Sequence, residues 1–178
     1  MQTIILVIAL LVAAFLVFVS TRPNTFSVKR AIVIKARPAV IYPLIDNFHA
    51  EGWGSWSPWE GIDPELKRTF SGPHEGVGSV YEWEGNNKVG SGRMEIQHAD
   101  APMNLEIKLD FFKPMKNTNR TVFQVIEEGE ESMVTWTMSG PVPFVGKIFH
   151  LFMNMDGMVG GQFDQGLQKL KALAEAKK

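Results

Sequence analysis

Few residues of this chain have types and spacings that could do chemistry. Asp156 falls on the same helical face as Phe152, Val159 and Phe163, where an apolar residue is expected. A carboxylate there must find a partner, reach solvent or change its protonation state. If it stays inside, it can orient a polar ligand group or act as a general base. If the helix turns locally near Gly157, it reaches water. Arg93 alternates to the strand face opposite Met94, which makes it a poor partner. His49, His74, His98 and His150 lie far apart and form no i,i+4 pair. A zinc site needs three or four converging ligands, so no metal site is expected. His98 shares strand parity with Met94 and Ile96 and is placed with them on an interior face; a structural histidine fits the same pattern.

The absence of cysteine excludes disulfides and thiolate chemistry. No Ser–His–Asp order or paired-carboxylate motif occurs. Gly76-Val77-Gly78 and Gly90-Ser91-Gly92 lack the following helix that a nucleotide fingerprint requires. No catalytic residue and no cofactor is implied. Lys and Arg number 18 against 19 Asp and Glu, so there is no basic field for nucleic acid and no polybasic run for anionic lipid.

Trp53, Trp56 and Trp59 are spaced by three in the Gly- and Pro-rich stretch 52–64. Such a trio is either a lip over a cavity mouth or a loop that buries its own rings against one end of a sheet. Gly157, Gly160, Gly161 and Gly166 interrupt a helical pattern, as happens where a backbone approaches another surface closely or leaves space. Met153, Met155 and Met158 fit either a pliable pocket wall or a gap-filled contact.

The elements that must position these residues follow from periodicity. Residues 22–27 read as a polar tether, and Phe26, Val28 and then Ala31–Ile34 as a β-branched first strand. Pro38 opens a short helix that Pro43 kinks or splits. Strands are predicted at 66–71, 78–84, 90–98, 105–112, 119–126 and 133–139, with a tight Asn-containing turn at 84–89. Leu105, Ile107, Leu109 and Phe111 face one way and Glu106, Lys108 and Asp110 the other, so the sheet has one buried face. A single long helix is predicted over 144–177, with Phe149, Phe152, Val159, Phe163, Leu167, Leu170 and Ala174 as its apolar stripe. The fold class is α+β: a curved antiparallel sheet gripping a long C-terminal helix.

Ahead of this domain, Ile4–Val19 is an unbroken apolar run. Sixteen helical residues rise roughly 24 Å, and the flanking residues extend that toward a full span. Residues 1–21 are read as a membrane anchor, with the domain at 28–178. A cleaved signal peptide is the rival, but Met1-Gln2-Thr3 carries no basic residue and Val17, Phe18 and Val19 are bulky before any cut. Arg22, Lys29 and Arg30 follow the span, which places the domain on the cytoplasmic side.

The run Trp53-Gly54-Ser55-Trp56-Ser57-Pro58-Trp59-Glu60, then Asp63-Pro64, Gly76-Val77-Gly78, Trp83-Glu84-Gly85-Asn86 and Val89-Gly90-Ser91-Gly92, resembles the START-like helix-grip superfamily. It is most similar to the membrane-tethered bacterial proteins of its polyketide cyclase/dehydrase and lipid-transport group (SRPBCC). The resemblance implies an internal cavity for an apolar or amphipathic small molecule, such as a lipid, and no particular reaction. The expected lining is Tyr81, Trp83, Met94, Ile96, Leu105, Ile107, Leu109, Phe123 and Trp136 from the strands. Phe152, Met153 and Asp156 join it from the helix, and Trp53, Trp56 and Trp59 from the loop. Two alternatives stand: a cyclase- or hydratase-like enzyme using Asp156 or His98, and a protein-binding module presenting an exposed Trp53–Trp59 patch.

Overall fold

The computed structural model describes residues 1–152 and 154–177. The apolar run forms α1 (Gln2–Ser20), which is long and apolar enough to cross a membrane and buries only Val19 against the rest of the chain. The β-branched segment after it forms β1 (Thr25–Ile34), and α2 (Pro38–Ile45) begins on Pro38 and carries Pro43 inside. The Trp-rich stretch contains one helical turn, α3 (Trp53–Trp56). Six strands follow: β2 (Lys67–Ser71), β3 (Val80–Glu84), β4 (Ser91–Asp100), β5 (Asn104–Lys113), β6 (Asn117–Glu128) and β7 (Glu131–Pro141).

All seven strands form one antiparallel sheet in the order β1-β7-β6-β5-β4-β3-β2. Successive strands are joined by hairpins, while β1 pairs with β7 and closes the order at one edge. Among the described residues no non-glycine residue has positive φ, so the β3–β4 turn is not built on a left-handed asparagine. Gly90 supplies the positive φ (68°), and the Asn86 side chain accepts from the Lys88 amide at 2.9 Å.

Strand parity puts Leu105, Ile107 and Leu109 of β5, Phe123 of β6, and Trp136 of β7 on one face, and all are buried. The parity expected of His98 fails. The β4–β5 register shifts between Ile96 and His98, so His98 stands opposite Glu106 and is exposed. One extra residue in a strand sends every later side chain to the other face.

The single C-terminal helix is two helices. α4 (Phe144–Phe152) ends, and α5 (Met155–Ala176) restarts with Asn154 as its cap, whose side chain accepts from the Gly157 amide at 2.9 Å. A cap satisfies amides that a continuous helix would have bonded internally, so it fixes a new helix start. Phe163, Leu167, Leu170 and Ala174 of α5 are buried against the sheet as the stripe predicts. Phe149 and Phe152 precede the break and are exposed. α5 lies mainly along β1, with further contacts to α2 and α3.

Candidate functional site

The sheet's inner face, α3 and α5 meet in a cluster of aromatic rings centred on Trp136. Phe163 of α5 stacks on it, with centroids 3.8 Å apart and planes 6° apart. Trp53, Trp56 and Trp59 meet it edge-on at 5.6, 5.5 and 5.8 Å. Phe123 lies beside it at 5.0 Å. Trp56 is fully buried, and its indole donates to the Leu44 carbonyl at 2.7 Å. The tryptophan loop therefore packs its rings inward. The exposed aromatic patch that a protein-binding module needs is not formed by Trp53 or Trp56.

The closeness of this contact explains one helix glycine. A Cβ on Gly166 would sit 3.0 Å from the Pro58 ring and 3.1 Å from the Trp136 ring. Gly160 makes room for something else: a Cβ there would overlap the Arg30 guanidinium. Arg30, on the inner face of edge strand β1, donates to both Asp156 carboxylate oxygens at 3.0 and 2.9 Å and to Asp164 at 3.2 Å. Asp156, Gly160 and Asp164 are spaced by four, so one helix face clamps the arginine. Asp156 is thus outside the ring cluster, 65% exposed, and its carboxyl is held below the usual range by Arg30. Of the two readings of Asp156, the helix turn near Gly157 that takes it to solvent is the one formed, so it does not line the interior; the ion pair needs Arg30, which the strand pattern does not single out.

Every expected strand residue, Tyr81, Trp83, Met94, Ile96, Leu105, Ile107, Leu109, Phe123 and Trp136, belongs to or packs on this one core. Phe152 does not: it is 79% exposed, because the helix break aims it away. Met153 lies outside the described residues. Around Trp136 the space between the sheet and α5 is filled by rings. A hollow of about 820 Å³ instead lies largely on the opposite face, walled by Ser27, Gln97, Glu106, Lys108, Arg120 and Ser139.

Within the packed interior two polar atoms have no hydrogen-bond partner in the protein: the Trp136 indole nitrogen and the Thr121 hydroxyl. Both residues are buried, and they sit on adjacent strands. Phe123 faces Trp136 across β6–β7 and Thr121 faces Met138, so the two are diagonal neighbours on the inner face. One row further lie Asn119 and Leu109, and then the half-buried Phe111, with Phe26 beside them on β1. The interior is therefore only partly closed near the end of the sheet that meets α4, where the Phe26 ring meets the His150 ring edge-on at 6.0 Å.

A second polar group faces inward on β3. The Tyr81 hydroxyl donates to Glu60 at 2.9 Å, and Glu60 in turn accepts from Arg68 Nε at 2.9 Å. Burial, first, and then the Glu60 charge push the Tyr81 hydroxyl far up, so it stays a proton donor. Glu60 is visible in the sequence only as part of the tryptophan motif, and nothing in strand parity singles out Thr121. No three His or carboxylate side chains converge as metal ligands among the described residues.

A seven-stranded antiparallel sheet wrapped on a C-terminal helix, with an apolar interior carrying a few polar atoms, defines the helix-grip class. The chain belongs to the family described as "Polyketide cyclase / dehydrase and lipid transport", which it matches over residues 25–175. No curated protein matches it in sequence. Solved structures share the fold at low identity. Ginseng major latex-like protein 151 from Panax ginseng has 16% identity and a TM-score of 0.57, with 87% of this chain and 98% of that chain covered. The Aha1 dimer from Colwellia psychrerythraea has 19% identity and a TM-score of 0.57, with 84% and 96% covered. The di-domain ARO/CYC BexL of the BE-7585A biosynthetic pathway has 12% identity and a TM-score of 0.62, with 88% and 52% covered.

Proposed function

We propose that this protein is a membrane-anchored binding protein that holds an amphipathic small molecule among the inner-face side chains. The observation that carries this reading is the pair of buried, unpartnered polar atoms, Trp136 Nε1 and Thr121 Oγ1. Each buried polar group left unpaired costs about 1–3 kcal/mol, and such groups are rare in folded proteins. A ligand carbonyl or hydroxyl oxygen accepts from the indole N–H and bonds the threonine hydroxyl, removing both penalties. Its apolar body takes the place beside Leu109, Phe111 and Met138, where the rings of Phe111 and Phe26 are only half-buried. Family membership supports an apolar cargo, and α1 supports a membrane address.

The cyclase- or hydratase-like alternative relies on Asp156 or His98, and both stand outside this interior. Native mass spectrometry of the full-length protein released from detergent tests the binding reading. A small apolar molecule should be retained by the parent and by Phe152→Ala, and lost or weakened about tenfold in Trp136→Phe and Thr121→Val, the equivalent of about 1.4 kcal/mol. Absence of any bound molecule, with no uptake of added palmitate or a fused-ring phenol, would overturn it.

A further inference from the structure

The helix α4 is amphipathic the wrong way round for a water-soluble surface. Phe144, Val145, Phe149 and Phe152 are exposed and Ile148 is half-buried, whereas Gly146 and Lys147 are buried and His150 is half-buried. The positions 144, 145, 148, 149 and 152 fall on one face at helical spacing. A surface helix in water turns its apolar face to the core and its polar face outward. Here Lys147 points in, and four apolar side chains, Phe144, Val145, Phe149 and Phe152, point out.

Where α4 sits accounts for this inversion. Lys147 Nζ donates to the Ser20 carbonyl at 3.2 Å, so the helix is pinned to the last turn of α1. A 19-residue helix rises about 28 Å, which leaves Ser20 at headgroup level when α1 spans a bilayer. Beside this join, Arg22, Lys147 and His150 contribute to the wall of one hollow of about 390 Å³. The Arg22 guanidinium lies over the Phe18 ring at 4.3 Å, cationic head at the end of an apolar span. These three bases are far apart in sequence, and only the fold gathers them.

We propose that the outward face of α4 is a docking surface for the lipid bilayer, in the leaflet where α1 ends, and that the neighbouring basic hollow takes the phosphate of an anionic lipid headgroup. The proposal rests on α1 being a retained anchor. An in-plane helix with aromatic residues on one face and Lys or His on the other is the form that lies at a membrane interface. Docking there brings the partly closed end of the inner face, at Phe26 and His150, against the lipid surface. The membrane then becomes the source of the amphipathic ligand.

The chain contains no cysteine, so single nitroxide labels can be placed cleanly. The full-length protein is reconstituted into phosphatidylcholine vesicles with and without phosphatidylglycerol. Labels go on Val12→Cys, Val145→Cys, Phe149→Cys and, as an aqueous reference in the β6–β7 hairpin, Glu128→Cys. The ratio of oxygen to nickel-chelate accessibility should be several-fold higher at positions 145 and 149 than at 128. Phosphatidylglycerol should raise it further, an increase that Arg22→Gln with His150→Gln should abolish. An immersed label at 12 with aqueous labels at 145 and 149 overturns the docking while leaving the anchor in place. An aqueous or cleaved residue 12 overturns the anchor and the docking together. Spin–spin broadening at 149 would show a second copy covering the face, and would also overturn the proposal. Indifference to phosphatidylglycerol would overturn the headgroup site.

Discussion

Phe163 and Phe152 lie on what reads as one helical stripe, eleven residues apart, yet they end in opposite environments. Phe163 is 1% exposed and stacked on Trp136; Phe152 is 79% exposed. The difference is the cap at Asn154, which ends one helix and starts another. In the inner cluster, rings meet rings and the polar atoms of Trp136 and Thr121 are trapped among them. On α4 the phenylalanine rings are largely exposed, while Lys147 reaches the end of α1 and His150 lies against Phe26. An apolar residue thus reports the solvent that its element was selected against. In one region that solvent is replaced by protein, and in the other by whatever adjoins the end of α1.

The comparison is broken most sharply by truncation. Phe163→Ala should cost about 3–5 kcal/mol in chemical denaturation, as removal of a packed aromatic side chain does. Phe152→Ala should stay within about 0.5 kcal/mol in detergent solution, as expected for an exposed position. Equal losses in the two variants would mean that α4 packs as a core helix. Next in size, Val12→Arg should cost about 2.5–3.5 kcal/mol of insertion free energy and move the chain toward the soluble fraction on membrane flotation. The domain's near-ultraviolet circular dichroism should not change, because α1 buries only Val19.

Thr121→Val sharpens the interior side. It removes a buried hydroxyl without a partner, so the ligand-free protein should gain about 1 kcal/mol of thermal stability. If it is destabilised instead, the hydroxyl has a partner in the folded state and the proposed polar contact loses its basis. An effect of similar size concerns Asp46 at the end of α2. Burial, and then the charge of Glu75, raise its pKa to about 6. Between the unfolded value near 4 and this folded value, the native state holds the extra proton, so stability falls as pH rises through that window. Asp46→Asn should remove that fall and stabilise the protein by about 1 kcal/mol at neutral pH, after allowance for partial solvent screening. Denaturation midpoints at acid and neutral pH give both numbers.

Several elements are legible in the residue pattern alone. The apolar run of α1, the one-sided alternation of β5 and the buried α5 positions follow from local periodicity, since each element's own spacing decides which side chains share a face. The failures are equally specific. Parity misplaces His98 because a bulge between Ile96 and His98 resets the alternation, and a bulge leaves no composition signal. Helical spacing leaves Asp156 open between interior and solvent and misses its ion pair, because the partner, Arg30, lies 126 residues away on β1.

What the sequence determined by itself is therefore the inventory: an α+β sheet-and-helix domain, an apolar leading helix, a tryptophan-dense loop and the absence of any cysteine. These depend on residue type and short-range spacing alone. Which groups meet is set by the folded arrangement alone. The sequence does not reveal that the Trp53–Trp59 loop fills the space beneath α5, that Thr121 and Trp136 are left unpaired, or that Arg22, Lys147 and His150 share one hollow. Such contacts are set by strand register, by the break at Asn154 and by the turn of the chain after Ser20. Each of these is fixed by long-range packing, whose energy is spread over many residues and is written at no single position.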